Sequence, residues 1–330
     1  MNVLVTGATG FLGQKLAFRL ATLGFNVTAT GRNRKIGQML TEKNIRFEPS
    51  ILEDKERIIE LCKNKDYVFH CGALSSPWGK YKDFYDANVL GTKHVIEGCK
   101  QANVKRLIHV STPSLYFYYN ERRNVKESDP LPNKFVNHYA ETKYLAEIEV
   151  DKAFEAGVPS ITIRPRAIFG PGDNAILPRL IKVCEKGIFP KFGNGDVEID
   201  LTYVENVVDA LLLCMNSEEK TLGQKYNITN GTSVSLYKMI ENVIAQLGIS
   251  VKYKTISVKK AYFIASLLEK LSTVVFQGKE PLLTKYTVSV LSQTQTLSIE
   301  KAKSELGYAP AVSIETGAAE FVEWWKNHEN

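Results

Sequence analysis

Along the first half of the chain, two hydrophobic periods take turns. Val3 to Val5 is a short unbroken apolar run, as a strand buried on both faces requires. Phe11 to Leu23 then spaces its apolar residues at helical intervals. The same switch recurs downstream. Asn26–Thr30, Arg46–Glu48, Tyr67–Cys71, Arg106–Ser111 and Ser160–Arg164 read as strands, with helices at Asp83–Ala102 and Tyr139–Ala156. Such alternation predicts an α/β fold, a doubly wound parallel sheet of Rossmann type. Ligands of these sheets bind beyond the carboxyl ends of the strands.

The first strand meets its helix through Gly7, Gly10 and Gly13. A strand that turns through glycines into a helix N-terminus is a phosphate site. Gly7 allows the tight turn, Gly10 lets the backbone approach a pyrophosphate, and Gly13 lets the helix pack close to the strand. After Gly170-Pro171-Gly172 the pattern loosens, with helical stretches at Ile176–Lys186, Val204–Met215 and Leu236–Leu247 between Gly- and Pro-rich turns. The expected division is a dinucleotide-binding Rossmann domain over 1–170, to which strands and helices of 197–230 return. A smaller C-terminal substrate-binding region, 171–196 and 231–330, covers it.

Composition narrows the classes. The 330 residues are 44% apolar and 24% charged, as in ordinary globular proteins. The net charge of +6 is mild and its carriers are scattered, with no aromatic-interleaved basic stripe, so nucleic acid is not an expected partner. Cys62, Cys71, Cys99, Cys184 and Cys214 form no Cys-x-x-Cys pair and read as free thiols in a reducing, cytoplasmic compartment. The five histidines are dispersed, so no metal is expected. The chain starts on its first strand, which argues against a signal peptide. The apolar stretch Ala261–Phe276 is too short to span a membrane and is interrupted by Glu269-Lys270. It reads as a core or lid helix, with peripheral contact at a membrane surface as the other reading.

Candidate chemistry gathers at two places. Tyr139-Ala-Glu-Thr-Lys143 puts a phenol and an ammonium four apart on one helix face, within reach of one ligand. A phenol titrates near pH 10, and a nearby ammonium favours its ionised form. The strand ending at Ser111 runs into Thr112-Pro113-Ser114-Leu115-Tyr116, which places hydroxyls where the ligand would lie.

Gly7-x-x-Gly10-x-x-Gly13, a hydroxyl past the fifth strand and Tyr139-x-x-x-Lys143, in that order, resemble the extended short-chain dehydrogenases/reductases, the NAD-dependent epimerase/dehydratase superfamily. The resemblance implies a catalytic set of Thr112, Tyr139, Lys143 and Asn88. Tyr139 would be the general acid/base. Lys143 would tune it and hold the nicotinamide ribose. Thr112, placed there by the following Tyr116 and ahead of Ser114, would bond the reacting oxygen. It also implies cofactor contacts from Gly7, Thr9, Gly10, Phe11, Leu12, Gly13, Cys71, Gly72, Ala73, Ser111, Arg164, Pro165 and Ala167. Many relatives pair as homodimers, through helices such as Asp83–Ala102 and Tyr139–Ala156.

Three departures bear on cofactor and substrate. The second strand ends at Gly31-Arg32, where NAD enzymes carry an acidic side chain. Arg32 can grip a 2′-phosphate, so NADP(H) is favoured over NAD(H). Ser50, followed by Ile51, replaces the Asp that relatives use near adenine. Ile199 stands where sugar-nucleotide epimerases place an Arg for the substrate phosphate. That points to the group of 3β-hydroxysteroid, sterol-4α-carboxylate and 2-alkyl-3-oxoalkanoate enzymes, and to hydride exchange with an apolar alcohol or ketone. Arg166 and Arg179 keep an anionic substrate, and with it an epimerase or dehydratase, in play. A non-catalytic NADP(H)-binding regulator is the third reading.

Overall fold

The computed structural model of the protein describes residues 1–274 and 279–328. Seven strands form the central sheet: β1 Asn2–Thr6, β2 Asn26–Gly31, β3 Arg46–Pro49, β4 Tyr67–His70, β5 Arg106–Val110, β6 Ser160–Pro165 and β7 Lys225–Ile228. They lie in the order β7-β6-β5-β4-β1-β2-β3. Every neighbouring pair is parallel. The chain begins in the middle, winds to the β3 edge, returns to β4 and winds to the β7 edge. This is a doubly wound sheet whose switch point falls between β1 and β4.

Burial on both faces explains the apolar runs. Val3 and Val5 join one cluster with Leu16, Leu20, Val207 and Leu211. Leu4 points the other way, to Ile58, Val95 and Leu107. A strand covered on both sides has no polar face to alternate with. β7 differs. Lys225-Tyr-Asn-Ile alternates polar and apolar, and only Tyr226 and Ile228 enter the first cluster.

The stretch expected as one helix over Asp83–Ala102 is built in three pieces. Tyr81–Phe84 and Gly91–Ala102 are α-helical, and Tyr85–Leu90 winds in the wider π form. Such wide turns frequently mark functional sites. Here the wide turn carries Asn88. Its Oδ1 accepts the Leu74 N–H at 2.7 Å, and its Nδ2 donates to Leu74 O at 3.2 Å and to Thr142 Oγ1 at 3.1 Å. Asn88 thereby ties the loop after β4 to the helix His138–Glu155.

The remainder of the chain builds smaller sheets. Ser233–Ser235, Glu198–Asp200, Gln295–Leu297 and Arg122–Val125 lie side by side in that order. A separate apolar cluster with Leu177, Ile181, Phe189, Tyr237 and Phe321 fills this region. The stretch Ala261–Phe276 forms most of the helix Val258–Val274, and its last two positions lie outside the described residues. Ala261 and Ala265 pack against Phe192 and Val288, while Phe263 is 66% exposed and Leu267 and Leu271 are each 46% exposed. No described helix is long and apolar enough to cross a membrane.

Candidate functional site

The glycine turn shapes a cleft at the carboxyl ends of β1 and β2. Gly7 has φ +65°, and a Cβ there would stand 2.6 Å from the backbone of Gly72. A Cβ on Gly13 would stand 2.3 Å from Gly7 O, so only glycine lets the helix Phe11–Thr22 start this close to the strand. The cleft, about 270 Å³, is lined by Gly7, Thr9, Gly10, Arg32, Ser50, Ile51 and Cys71-Gly72-Ala73, among others. A larger hollow of about 580 Å³ lies at the opposite ends of these strands, beside Asn2 and Asn26, away from the glycines.

A dinucleotide fits the cleft on two further counts. Thr30 Oγ1, in the wall, and Ser111 Oγ, just past β5, are buried with no partner among the described residues. Buried polar atoms otherwise find partners. Arg32 is exposed at the rim, and Asn33 caps the helix Arg34–Thr41 by accepting the N–H groups of Lys35 and Ile36. Ser50 turns its hydroxyl to Ile51 O at 3.0 Å, which leaves it no carboxylate-like role. Leu12 is in the core, so only its backbone faces the turn.

Three hydroxyls meet where the nicotinamide end would lie. The helix His138–Glu155 is capped by Asn137, whose Oδ1 accepts the Ala140 N–H at 2.9 Å, and Tyr139 sits in its first turn. Burial raises the Tyr139 phenol, and the hydroxyls of Ser75 and Thr112 hydrogen-bond it and oppose that rise. Thr112 also receives the Ser114 N–H at 3.2 Å and donates to Ser114 Oγ at 3.1 Å, which fixes the turn Pro113–Tyr116. Ser75 carried no sequence signal, because it lies in the loop after β4, which Asn88 ties to the helix His138–Glu155.

Lys143, one turn below Tyr139, is buried. Its Nζ donates to Val110 O at 2.8 Å and lies 3.3 Å from His109 Nε2. Burial pulls its pKa down to about 8, against the pull of Glu147. Beneath it, burial and the Lys143 charge hold His70 down to about 3, and His109 is lowered in the same way, so both imidazoles are neutral. Burial pushes the Cys71 thiol up to about 12 and leaves it unreactive.

Arg164 does not face the cleft as expected. Its Nε donates to Glu147 Oε1 at 2.8 Å, its Nη2 to Glu147 Oε2 and its Nη1 to the Tyr116 hydroxyl. Tyr116 in turn donates to Asn227 Oδ1 of β7 at 3.1 Å. Strand alternation is the reason: Ile161 and Ile163 enter the first cluster, so Arg164 projects from the opposite face, toward the helix. Only its backbone is left for a cofactor. Pro165 ends β6 in the interior, and Ala167 follows with φ +44°. Arg179 pairs with Glu280 at 3.1 Å on the surface, outside the pocket. Ile199 is buried in the apolar cluster of the C-terminal region and offers a phosphate nothing. Phe117 and Tyr286 stack edge-on with ring centres 5.1 Å apart. Tyr286 lies close enough to act on the ionisation of both Tyr139 and Arg166.

The pattern of the NAD dependent epimerase/dehydratase family matches residues 3–229. The chain belongs to this family. It is 33% identical over 323 residues to a 2-alkyl-3-oxoalkanoate reductase from Stenotrophomonas maltophilia, covering 96% of this chain and 97% of that protein. It is 33% identical over 321 residues to the mouse sterol-4-alpha-carboxylate 3-dehydrogenase, decarboxylating, covering 94% of this chain and 87% of that one. A solved structure of MoeE5 in complex with UDP-glucose and NAD superposes with a TM-score of 0.79 at 25% identity over all of both chains. This family member is therefore an enzyme of the extended short-chain dehydrogenase/reductase type, in a family of NAD-dependent oxidoreductases and epimerases.

Proposed function

We propose that the protein is an NADP(H)-dependent oxidoreductase that interconverts a secondary alcohol and a ketone on a largely apolar substrate. The observation that carries this reading is the Tyr139 hydroxyl, met by Ser75 and Thr112, with no phosphate-holding arginine at Ile199. Relatives named as a reductase and a dehydrogenase support it. Gly7, Gly10 and Gly13 would seat the pyrophosphate, Arg32 a 2′-phosphate, and Ser111 and Lys143 the nicotinamide end. The bound nicotinamide supplies the hydride acceptor or donor.

The protein's own part is proton movement and orientation. In oxidation the Tyr139 phenolate takes the hydroxyl proton of the substrate. In reduction the Tyr139 phenol gives it back. Ser75 donates a hydrogen bond that steadies the charge as it builds on oxygen, and Thr112 adds one when its single proton turns away from Ser114 Oγ. Lys143, when protonated, adds a positive field below the phenol.

The test is Tyr139→Phe. It removes the proton carrier and leaves the cleft intact, so NADPH binding should persist while reduction of ketones falls by at least ~100-fold, the ordinary span of acid–base catalysis. Unchanged turnover would reject the assignment. The epimerase/dehydratase family pattern, with the likeness to MoeE5 in complex with UDP-glucose and NAD, favours a sugar-nucleotide epimerase as the second reading. Isomerisation of UDP-glucose without net change in cofactor would establish it.

A further inference from the structure

We propose that Arg166 anchors a carboxylate carried by the substrate, next to the carbon whose oxygen Tyr139 serves. The proposal rests on the oxidoreductase reading above and names the residue that selects the substrate within it.

Placement comes first. In the parallel pair of β5 and β6, Val110 lies opposite Ile163, and the Ser111 N–H donates to Ile163 O at 2.7 Å. Two residues on, Thr112 is level with Pro165. Arg166 is therefore one residue farther out on the neighbouring strand, which lies about 5 Å away. Its backbone is pinned there. The Arg166 N–H donates to Ile228 O at 3.1 Å, and its carbonyl accepts from the Thr202 hydroxyl. Ala167, next in the chain, has φ +44°, a left-handed conformation that an alanine keeps only when its surroundings hold it.

The guanidinium is under-used. Among the described residues it makes one hydrogen bond, from Nη1 to Gln295 Oε1 at 2.6 Å. Its Nε is buried with no partner. Asp200 is near enough to be felt, yet it forms no ion pair with Arg166, and its Oδ2 accepts the Leu297 N–H at 2.6 Å. Burial lowers the arginine's pKa, but a guanidinium stays charged at any physiological pH. Arg164, two residues earlier, shows what a satisfied arginine looks like in this protein: Glu147 takes one edge and Tyr116 the other. A buried cation without such partners is costly until an anion reaches it.

The free edge sets the shape of the anion. With Nη1 committed to Gln295, Nε and Nη2 present two parallel donors, the fork that matches the two oxygens of a carboxylate. A single arginine, partly offset by Asp200, suits one negative charge rather than a diphosphate. Tyr286 lies within electrostatic reach of both Tyr139 and Arg166.

Calorimetry on protein saturated with NADP+ tests the anchor without turnover. Octanoate should bind at least about tenfold tighter than 1-octanol, as a hydrogen bond to a charged group implies. Arg166→Gln should erase that preference while NADP+ affinity stays the same, which shows the variant is folded. Tyr139→Phe should keep the preference. Octanoate binding no tighter than octanol, including no binding of either, would overturn the anchor, as would a preference that survives Arg166→Gln. Oxidation of 3-hydroxyoctanoate and its methyl ester separates the two claims. An Arg166-dependent octanoate preference with neither compound oxidised keeps the anchor and rejects the oxidoreductase reading. Oxidation of both with equal KM, in wild type and Arg166→Gln alike, keeps the oxidoreductase reading and rejects the anchor.

Discussion

The Glu147–Arg164 pair holds the site together, and its removal should show this in a particular way. Tyr139, Lys143 and Glu147 are spaced four apart on the helix His138–Glu155, so they share one inward stripe. The side chains of Arg164 and Glu147 are 4% and 1% exposed. Arg164 also holds Tyr116, which closes the turn that starts at Thr112. One ion pair thus fixes the Tyr139 helix, β6 and the Thr112 turn together. Glu147→Leu would leave a buried guanidinium with the Tyr116 hydroxyl alone. Stranding a buried charge in this way costs about 3–5 kcal/mol. Arg164→Met strands the carboxylate and should cost the same order. The double variant Glu147→Leu/Arg164→Met strands neither charge. Tyr116 keeps its bond to Asn227, so the residual cost is the lost hydrogen bond, about 1 kcal/mol.

Urea denaturation of the wild type, both single variants and the double variant gives the coupling energy directly. The expected coupling is several kcal/mol, with the double variant more stable than either single one. A double variant that loses the sum of the two single losses would refute the argument, because it would mean that the pair does not act as a unit.

Three other perturbations have a defined sign. Lys143 titrates near pH 8 in the folded protein and near 10.5 when unfolded, so the unfolded chain holds the extra proton between those values. Stability from this group therefore rises with pH across that window, by up to about 3 kcal/mol. The difference in unfolding free energy between wild type and Lys143→Met should shift by this amount in favour of wild type from pH 8 to 10.5, and a flat difference would show that Lys143 is not desolvated. Arg32→Ala should weaken NADPH about tenfold and leave NADH unchanged, as calorimetry can read, for an exposed arginine bonding one phosphate; equal losses for both cofactors would remove Arg32 from the 2′-phosphate. Ser75→Ala deletes a hydrogen bond that lowers the Tyr139 pKa. The pH profile of kcat/KM for alcohol oxidation should then move its rising limb to higher pH, and an unmoved limb would detach Ser75 from Tyr139.

Much of the fold was legible because strands such as β1, β4 and β5 are covered on both faces, which writes short apolar runs into the chain. β7 escaped because it lies at the sheet edge and alternates. The four strands of the C-terminal sheet are three or four residues long and come from near positions 122, 198, 233 and 295, too short and too scattered for any period to show. Spacing marked Tyr139 and Lys143, and the same spacing continued one step reaches Glu147, a carboxylate on a stripe that must be buried. A charge in that position demands a partner. The partner is Arg164, although Arg164-Pro-Arg166 offers two arginines and the chain alone cannot choose between them. The choice depends on where β6 ends. Arg164 is within the strand and projects opposite Ile161 and Ile163, onto the helix. Arg166 is past the strand, beyond Pro165 and before the strained Ala167. Two arginines separated by one residue thus take different partners. The one inside the ladder is paired by Glu147 and Tyr116, and the one outside it bonds Gln295 through Nη1 and keeps a buried Nε without a partner among the described residues.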